Sequence, residues 1–259
     1  MFHFFREIRQ RLITDKRFSK YLLYAFGEIL LVVIGILIAL QVDAWQQGRE
    51  EAEKEAYYLT RMQAELKANR GIAEQMAAFR AFQSSNARLV TSILYGNASK
   101  DSVNQDFFLA VEHLTWLYTK TFEKDVWEEL KSTGNIELIS DRELRTSLSQ
   151  TYNSMDFYAT YEREWSTFNM GYRRLLGNAE VFGFQTRLAL TRALSPSEAT
   201  GVVDALPDVD TTIEELKGIK GLEGYLTDIF MSSATGAGMY SVLSKKIDSL
   251  LTEIKRVNP

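Results

Sequence analysis

The sequence predicts an all-α protein in which a single transmembrane helix continues into an antiparallel helical bundle. Residues 21–42 form an apolar run with one charge, Glu28, and a helix of that length covers the roughly 30 Å hydrocarbon core of a bilayer. Only three prolines interrupt the chain, Pro196, Pro207 and Pro259. The long segments between breaks are rich in Ala, Leu, Glu, Lys and Gln, which favour helix, and strand signals are nearly absent.

The predicted order of segments is a basic leader, a membrane-spanning helix and one large helical domain. Residues 1–20 form a cytoplasmic leader whose apolar residues recur at helical spacing, as in a helix that lies in the headgroup layer. A disordered basic leader is the alternative. Residues 21–44 form the transmembrane helix. Residues 45–259 form an extracytoplasmic helical-bundle domain that begins with a long stalk helix, and this length suits one sizeable domain.

Basic residues set the expected orientation of the span. Residues 1–20 carry six Lys or Arg against two acidic residues, whereas residues 43–55 carry only Arg49 and Lys54. The flank that is richer in Lys and Arg stays in the cytoplasm, so the large domain is predicted to lie outside it. A cleaved signal peptide is the alternative. The apolar run is longer than a typical signal core, and residues 41–45 offer no small-residue cleavage site.

The charge distribution excludes some classes of partner. The overall formal charge of −4 combines +4 for residues 1–20 with −8 for the remainder. Nucleic acid is not expected as a partner, because a domain that binds it presents a basic face. The basic leader instead suits the anionic headgroups of a lipid bilayer. The chain contains no cysteine, so disulfides and thiolate chemistry are excluded.

One side of the predicted span carries both its charge and suitably spaced small residues. Glu28, Gly35 and Ala39 share a face at helical spacing, and a pair of small residues four apart lets a second helix approach closely. Intramembrane carboxylates are costly and often mark a function or a partner. We interpret this face as a site of self-association or of contact with another membrane protein. The alternative is that Glu28 simply reaches toward the headgroups.

The N-terminal motifs resemble those of a known family. F-F-R-E-I-R-Q-R-L at residues 4–12 precedes K-Y-x-x-Y-A-x-G-E-I at residues 20–29, and the apolar run ends in A-L-Q followed by Trp45. This order is similar to the N-terminus of a family of uncharacterised single-pass membrane proteins from Gram-negative bacteria. A weaker similarity, S-x-G-N-x-x-L-I, lies at residues 132–139. Asp43 and Ala44 stand where the family often has two asparagines before the tryptophan.

The resemblance implies a location and no chemistry. It places the span in the bacterial cytoplasmic (inner) membrane and the large domain in the periplasm. The family has no established activity, so it supplies no catalytic or cofactor-binding residues.

Beyond the span, hydrophobic spacing predicts a series of helices. The span continues without a break to Leu94, and Gly96 ends this helix in the left-handed cap conformation. A capping box of Ser140 and Glu143 opens the longest internal helix. Gly236 permits close packing or a kink in the last helix. The later helices are predicted at residues 103–118, within 122–135, at 141–176, 182–194, from 195, at 210–217 and at 225–257.

The longest internal helix carries an aromatic-rich stripe at spacings of three and four. Such a stripe usually packs in a core. The sharper interpretation is a ligand pocket between helices, lined by Tyr152, Tyr158, Tyr161 and Trp165. His113 has neither a cysteine nor a second histidine nearby, and we interpret it as a structural residue.

No catalytic, cofactor-binding or metal-binding residues are predicted. The sequence offers no nucleophile and base at readable spacing, and the acidic residues of 123–129 lie beside lysines as ordinary surface pairs. We therefore expect a non-enzymatic interaction or scaffold protein that presents its bundle in the periplasm. Its expected partners are the lipid bilayer and a copy of itself or another membrane protein. A periplasmic small-ligand-binding sensor domain is the alternative, because sensors also place a bundle on a stalk.

Overall fold

The computed structural model describes residues 16–96, 105–177 and 208–258. These residues form six α-helices and one 3₁₀ turn without a strand, which confirms the all-α class. The chain divides into two compact units, Met1–Tyr57 and Tyr58–Pro259. The elements are α1 (Lys16–Leu94), α2 (Gln105–His113), α3 (Asp125–Ser132), the 3₁₀ turn (Asn135–Leu138), α4 (Arg142–Leu175), α5 (Val209–Gly218) and α6 (Leu222–Val257).

The part of α1 in the first unit is an exposed helix that is stabilised by contacts between its own side chains. All residues of 22–54 are exposed. After the apolar run, Arg49 forms an ion pair with Glu53 at 3.3 Å and lies 5.4 Å from the ring centroid of Trp45. Gln46 and Gln47 also donate to glutamates one turn later. Each such pair contributes about 0.3–0.5 kcal/mol, which suits a solvated helix without a core. The continuous helix from the span to Leu94 is confirmed.

The end of α1 differs from the prediction in its conformation. The Gly96 N–H donates to the Ser92 carbonyl at 3.1 Å, and Gly96 does not have a positive φ. The predicted left-handed cap is therefore wrong. A Cβ at Gly96 would lie 2.5 Å from the Ser92 carbonyl oxygen, so this glycine serves a close backbone approach instead.

Two hydrophobic cores lie along the second unit. The first joins the segment of α1 from Tyr58 to Met76 to α3, the start of α4 and the end of α6. The second joins the end of α1 to α2, the end of α4, α5 and the start of α6. The buried residues of α1 recur at spacings of three and four throughout, which is the pattern of a helix with one side in a core.

The long helices of this unit do not all alternate in direction. Along α1, residues with higher numbers contact α4 residues with higher numbers. They contact α6 residues with lower numbers. The defining side-chain contacts are Glu65–Tyr152 and Arg80–Glu162 between α1 and α4, and Arg70–Asp248 and Ser84–Phe230 between α1 and α6. The helix α6 is thus antiparallel to both, whereas α1 and α4 are parallel. The connection between those two must therefore return along the bundle.

Part of that return is an extended segment, residues 116–123, which we call the strap. Its first carbonyl accepts a hydrogen bond from Gln83, and Glu123 exchanges two backbone bonds with the Asn69 amide. Gln83 and Asn69 are 14 positions apart on α1, or about 21 Å at helical rise. Seven residues cover this at about 3 Å each, close to the limit for extended chain. The helix predicted at 103–118 accordingly ends at His113.

Asp141, and not Ser140, caps α4. Its carboxylate accepts hydrogen bonds from the N–H groups of Glu143 at 2.9 Å and Leu144 at 3.1 Å. The predicted capping box of Ser140 and Glu143 is therefore wrong, because the N-cap lies one residue later and the N3 position is then Leu144. A negative charge at this position also suits the positive end of the α4 dipole. The same carboxylate forms an ion pair with Arg256 at the end of α6, at 2.9 Å.

Two glycines require a left-handed backbone. Gly134 precedes the 3₁₀ turn with φ 73°, and Gly221 precedes α6 with φ 88°. Both permit the sharp reversals that bring short elements back onto the bundle. The helix predicted at 210–217 is confirmed as α5, and the last helix begins at Leu222. The helices predicted at 182–194 and from 195 lie outside the described residues.

The Asp141 cap makes a prediction about stability. Asp141→Ala should lower the free energy of unfolding, because two N–H groups at the start of α4 lose their acceptor, and Asp141→Asn should lose less because the amide still accepts. The hydrogen bond from Leu144 is the main cause that holds the pKa of Asp141 below 3.8, with further support from Glu143 and Arg256.

The pH dependence follows from that lowered pKa. A group whose pKa falls on folding stabilises the native state above its unfolded pKa, and loses this as pH falls through the native value. The difference between wild type and Asp141→Asn in the free energy of unfolding, measured with urea, should therefore become smaller below pH 3.8. If Ser140→Ala lowered the free energy of unfolding more than Asp141→Ala does, Ser140 and not Asp141 would be the N-cap of α4.

Candidate functional site

The apolar segment of α1 is long and apolar enough to span a membrane. Its most apolar window has a mean hydropathy of 2.6, and none of that window is buried. Exposure of so many large apolar side chains in water is strongly unfavourable. Lipid or a protein surface around the segment would remove this cost.

The predicted span face is open along its length. At 100° per residue, Glu28, Gly35 and Ala39 lie within about 20° of one direction. A Cβ added at Gly35 would meet no atom within 4 Å. Leu23, Tyr24, Gly27, Glu28 and Leu31 line a notch of about 640 Å³ at the start of this face. The face thus combines a carboxylate, a concave surface and small residues.

A second notch lies on another side of the same segment. Its volume is about 350 Å³, and it carries no charged side chain. The lining residues are Ile34, Leu37, Ile38, Gln41, Val42 and Trp45. It is the natural competitor to the Glu28 face as a contact surface for another helix, since shape alone does not separate the two.

The four aromatic residues predicted to line a pocket take part in packing contacts. Tyr152 stacks on Trp127 with ring centroids 4.8 Å apart and donates to the carboxylate of Glu65. Tyr158 meets Tyr240 edge to face. The Tyr161 hydroxyl donates to the Ser232 carbonyl at 3.0 Å, and Trp165 stacks on Phe168. Tyr152 and Trp165 belong to different cores, so the structure does not gather the four into one cluster.

A buried ion pair lies at the level that separates the two cores. Arg80 of α1 donates to both carboxylate oxygens of Glu162 of α4, and the side chains are only 1% and 8% exposed. The Tyr240 hydroxyl of α6 donates to the same carboxylate at 2.9 Å. Burial, and then the charge of Glu162, raise the pKa of Tyr240. We call Arg80, Glu162, Tyr240 and Gln83 the polar layer.

The polar layer continues to the strap. Arg80 donates to the side-chain carbonyl of Gln83 at 3.0 Å, and Gln83 donates to the Trp116 carbonyl at 3.0 Å. Asn169 donates to that same carbonyl at 3.2 Å. The aliphatic part of Arg80 packs on Gly236, where a Cβ would lie 3.4 Å from Cγ. Close packing, one of the two roles predicted for that glycine region, is the one observed.

The sequence contained a signal for this layer that its interpretation missed. Met76, Arg80, Gln83 and Ala87 continue the buried stripe of α1 at spacings of four and three. A charged residue at a core position requires a partner, and Glu162 occupies a core position of α4. What sequence could not supply was that these two positions face each other.

Three polar atoms beside the layer have no hydrogen-bond partner among the described residues. They are the indole Nε1 of Trp165, the side-chain oxygen of Asn169 and the hydroxyl of Ser233. The Trp165 ring lies 4.6 Å from the Arg80 guanidinium carbon, in a cation–π contact. The His113 ring contacts Phe82 and Trp116, and burial lowers its pKa. These contacts agree with the structural role expected for that histidine.

The polar layer predicts a characteristic mutational response. Arg80→Met should destabilise the bundle by about 3–5 kcal/mol, because it leaves the Glu162 carboxylate buried and unpaired. Arg80→Met combined with Glu162→Leu should recover most of this loss. Tyr240→Phe should cost about 1.5–3 kcal/mol as a lost bond to a charged group. Urea unfolding measures all three, and a double variant as unstable as Arg80→Met would contradict a coupled pair.

Neither metal chemistry nor similarity assigns a function. No group of three or more metal-ligating side chains is present within the described ranges 16–96, 105–177 and 208–258. No family model, curated protein or solved structure matches this chain.

Proposed function

We propose that the chain is a membrane-anchored, non-enzymatic interaction protein that presents a helical bundle in the periplasm and self-associates through its span. The observation that carries the proposal is the open face of Glu28, Gly35 and Ala39 on a segment in which residues 22–54 are all exposed. The family resemblance of residues 4–45 supports the same layout.

The chemistry of lipid favours association at this face. Lipid tails are as apolar as leucine, so helices pair through close packing and polar contacts and not through hydrophobic burial. Gly35 and Ala39 allow backbones to approach, and Glu28 brings the one charge of the run. A carboxylate is costly at this depth unless it is protonated or paired. A contact between two copies through Glu28 adds about 1 kcal/mol.

The interior of the bundle supports an interaction role over ligand sensing. The hydroxyls of Tyr152, Tyr161 and Tyr240 all donate to protein acceptors, and these rings pack against other side chains. A sensor pocket would need polar groups that converge on an open volume. The outer surfaces of the bundle are therefore the more promising sites for partners.

The first prediction concerns orientation. A reporter enzyme that is active only in the periplasm, fused after Pro259, should be active in a Gram-negative host, because the Lys/Arg-rich leader stays inside. A fluorescent protein that matures only in the cytoplasm, fused at the same position, is the control. Fluorescence without reporter activity would overturn both the orientation and the periplasmic location.

The second prediction concerns self-association. Single cysteines along residues 24–42, placed in the cysteine-free chain, should cross-link with a helical period that peaks on the side of Glu28, Gly35 and Ala39. Gly35→Leu should reduce the yield severalfold, since bulk there separates the backbones.

Ala44→Leu provides the matched control for that experiment. Ala44 is also small and exposed, but lies about 160° away from Glu28 around the helix, so the same gain in bulk should have little effect. A maximum on the side of Leu30 and Leu37 would instead assign association to the second notch. The absence of any helical period would remove the span as an interface and leave Glu28 as a residue that reaches for the headgroups.

A further inference from the structure

We infer that the strap binds an extended peptide of a partner protein by strand addition. The peptide would pair its backbone with residues 117–121, seat an apolar side chain on the shelf of Phe82, Trp116 and Leu117, and place an acidic side chain opposite Lys120. This inference deepens the proposed interaction role and rests on it, because it names the surface and the class of partner.

Between its two bound ends, the backbone of the strap has no hydrogen-bond partner within the described part of the chain. The N–H and C=O groups of residues 117–122 make no hydrogen bond to any other described residue, although the chain is extended there. Extended backbone with free donors and acceptors is the template that strand addition uses. A lipid or a sugar surface would leave this regular row of amides unmatched.

The strap is also anchored on α4. The Trp116 carbonyl accepts a hydrogen bond from Asn169 of α4, and Lys124, directly after the strap, pairs with Asp156 of the same helix at 2.5 Å. Those α4 residues are 13 positions apart, or about 20 Å at helical rise. Anchors at both ends on two helices hold the segment taut, so a partner strand would not have to order it first.

The composition of the strap favours strand pairing. Its sequence, W-L-Y-T-K-T-F at residues 116–122, is almost wholly aromatic and β-branched, the residue types enriched in strands. Tyr118 and Phe122 turn inward, where Tyr118 donates to Gln75 at 2.8 Å and Phe122 is buried. Leu117, Thr119 and Thr121 are exposed. Trp116 and Lys120 lie on the same side as Tyr118 and Phe122 by the period of a strand, but both are exposed, so Tyr118 and Phe122 anchor the strap while the residues beside them stay open to a partner.

An apolar shelf adjoins the first residues of the strap. Phe82, Trp116 and Leu117 are 40–42% exposed, and His113 links two of them, with ring centroids 5.1 Å from Phe82 and 4.3 Å from Trp116. Tryptophan is prominent among residues that dominate binding energies. The Trp116 backbone is fixed from below by Gln83, so the shelf is formed before a partner arrives.

Charge selects the kind of peptide. Lys120 is the one charged residue of segment 116–122 and is exposed, with its ammonium 5.8 Å from the Tyr118 ring centroid. An acidic side chain opposite it across a strand pair is stabilising, whereas like charges are unfavourable. A second copy of the strap would bring another Lys120 near the first, and the one carboxylate of the strap, Glu123, has both of its backbone groups bound to Asn69 and so lies outside the unpaired row. The better occupant is thus an apolar and acidic segment of a different protein.

The test selects peptides with the full-length protein in lipid nanodiscs. A displayed library of random nonapeptides is the probe. Enriched sequences should alternate apolar residues and share an acidic one. Binding of a synthetic enriched peptide should weaken at least tenfold for Thr119→Pro, which removes a backbone donor that has no partner among the described residues, and stay within twofold for the matched control Thr119→Ala. Methylation of alternate peptide nitrogens should abolish binding.

Several outcomes would overturn the inference. They are no enrichment, equal binding to Thr119→Pro, equal binding of the N-methylated peptide, or association of straps with each other only. If the Thr119→Pro variant unfolds at a lower temperature than Thr119→Ala, Thr121→Pro is used in its place. The N-methylated peptide tests backbone pairing without any change to the protein. Repeating the selection with Gly35→Leu separates this surface from the span, because a strap that binds peptide there would do so without span association.

Discussion

The buried pair of Arg80 and Glu162 constrains the whole second unit. Removing a guanidinium and a carboxylate from water costs several kcal/mol per ion, and only a close partner offsets this. The pair therefore tolerates no slip of α1 along α4, since a one-turn shift would separate the charges by about 5 Å. Tyr240 and Gly236 extend the same constraint to α6. Apolar cores above and below accept several registers, whereas this layer accepts one.

Buried polar groups of α1 also determine how the chain returns to start α4. Glu65 accepts the Val126 N–H at 2.7 Å and so completes the uncapped start of α3, a favourable place for a carboxylate. Asn69 holds the end of the strap, and Gln83 holds its beginning. These three residues lie in the buried stripe of α1. The polar side chains of one helix thus position the crossover from Trp116 to Val126, which is consistent with parallel α1 and α4.

Local patterns predicted the elements well, and contacts distant in sequence account for the errors. The unbroken α1 and the stripe of α4 follow from helical periodicity, because a core-facing helix repeats its apolar positions. Ser140 and Asp141 are both good caps; Arg256, far along the chain, pairs with Asp141. Residues 114–118 lost their predicted helix because Gln83 and Asn169 bind the Trp116 carbonyl. For the site, Arg80 and Glu162 were readable as core charges, but their pairing was not.

The proposed span contact and strap contact use different physics, and this gives them a joint consequence. In lipid, the span gains from packing and one polar group, so bulk at Gly35 weakens it. In water, the strap gains from backbone hydrogen bonds and aromatic burial, so loss of one N–H weakens it. Association of spans would link at least two straps in one assembly. A partner that carries repeated acidic and apolar segments would then bind with an avidity that exceeds single-site affinity.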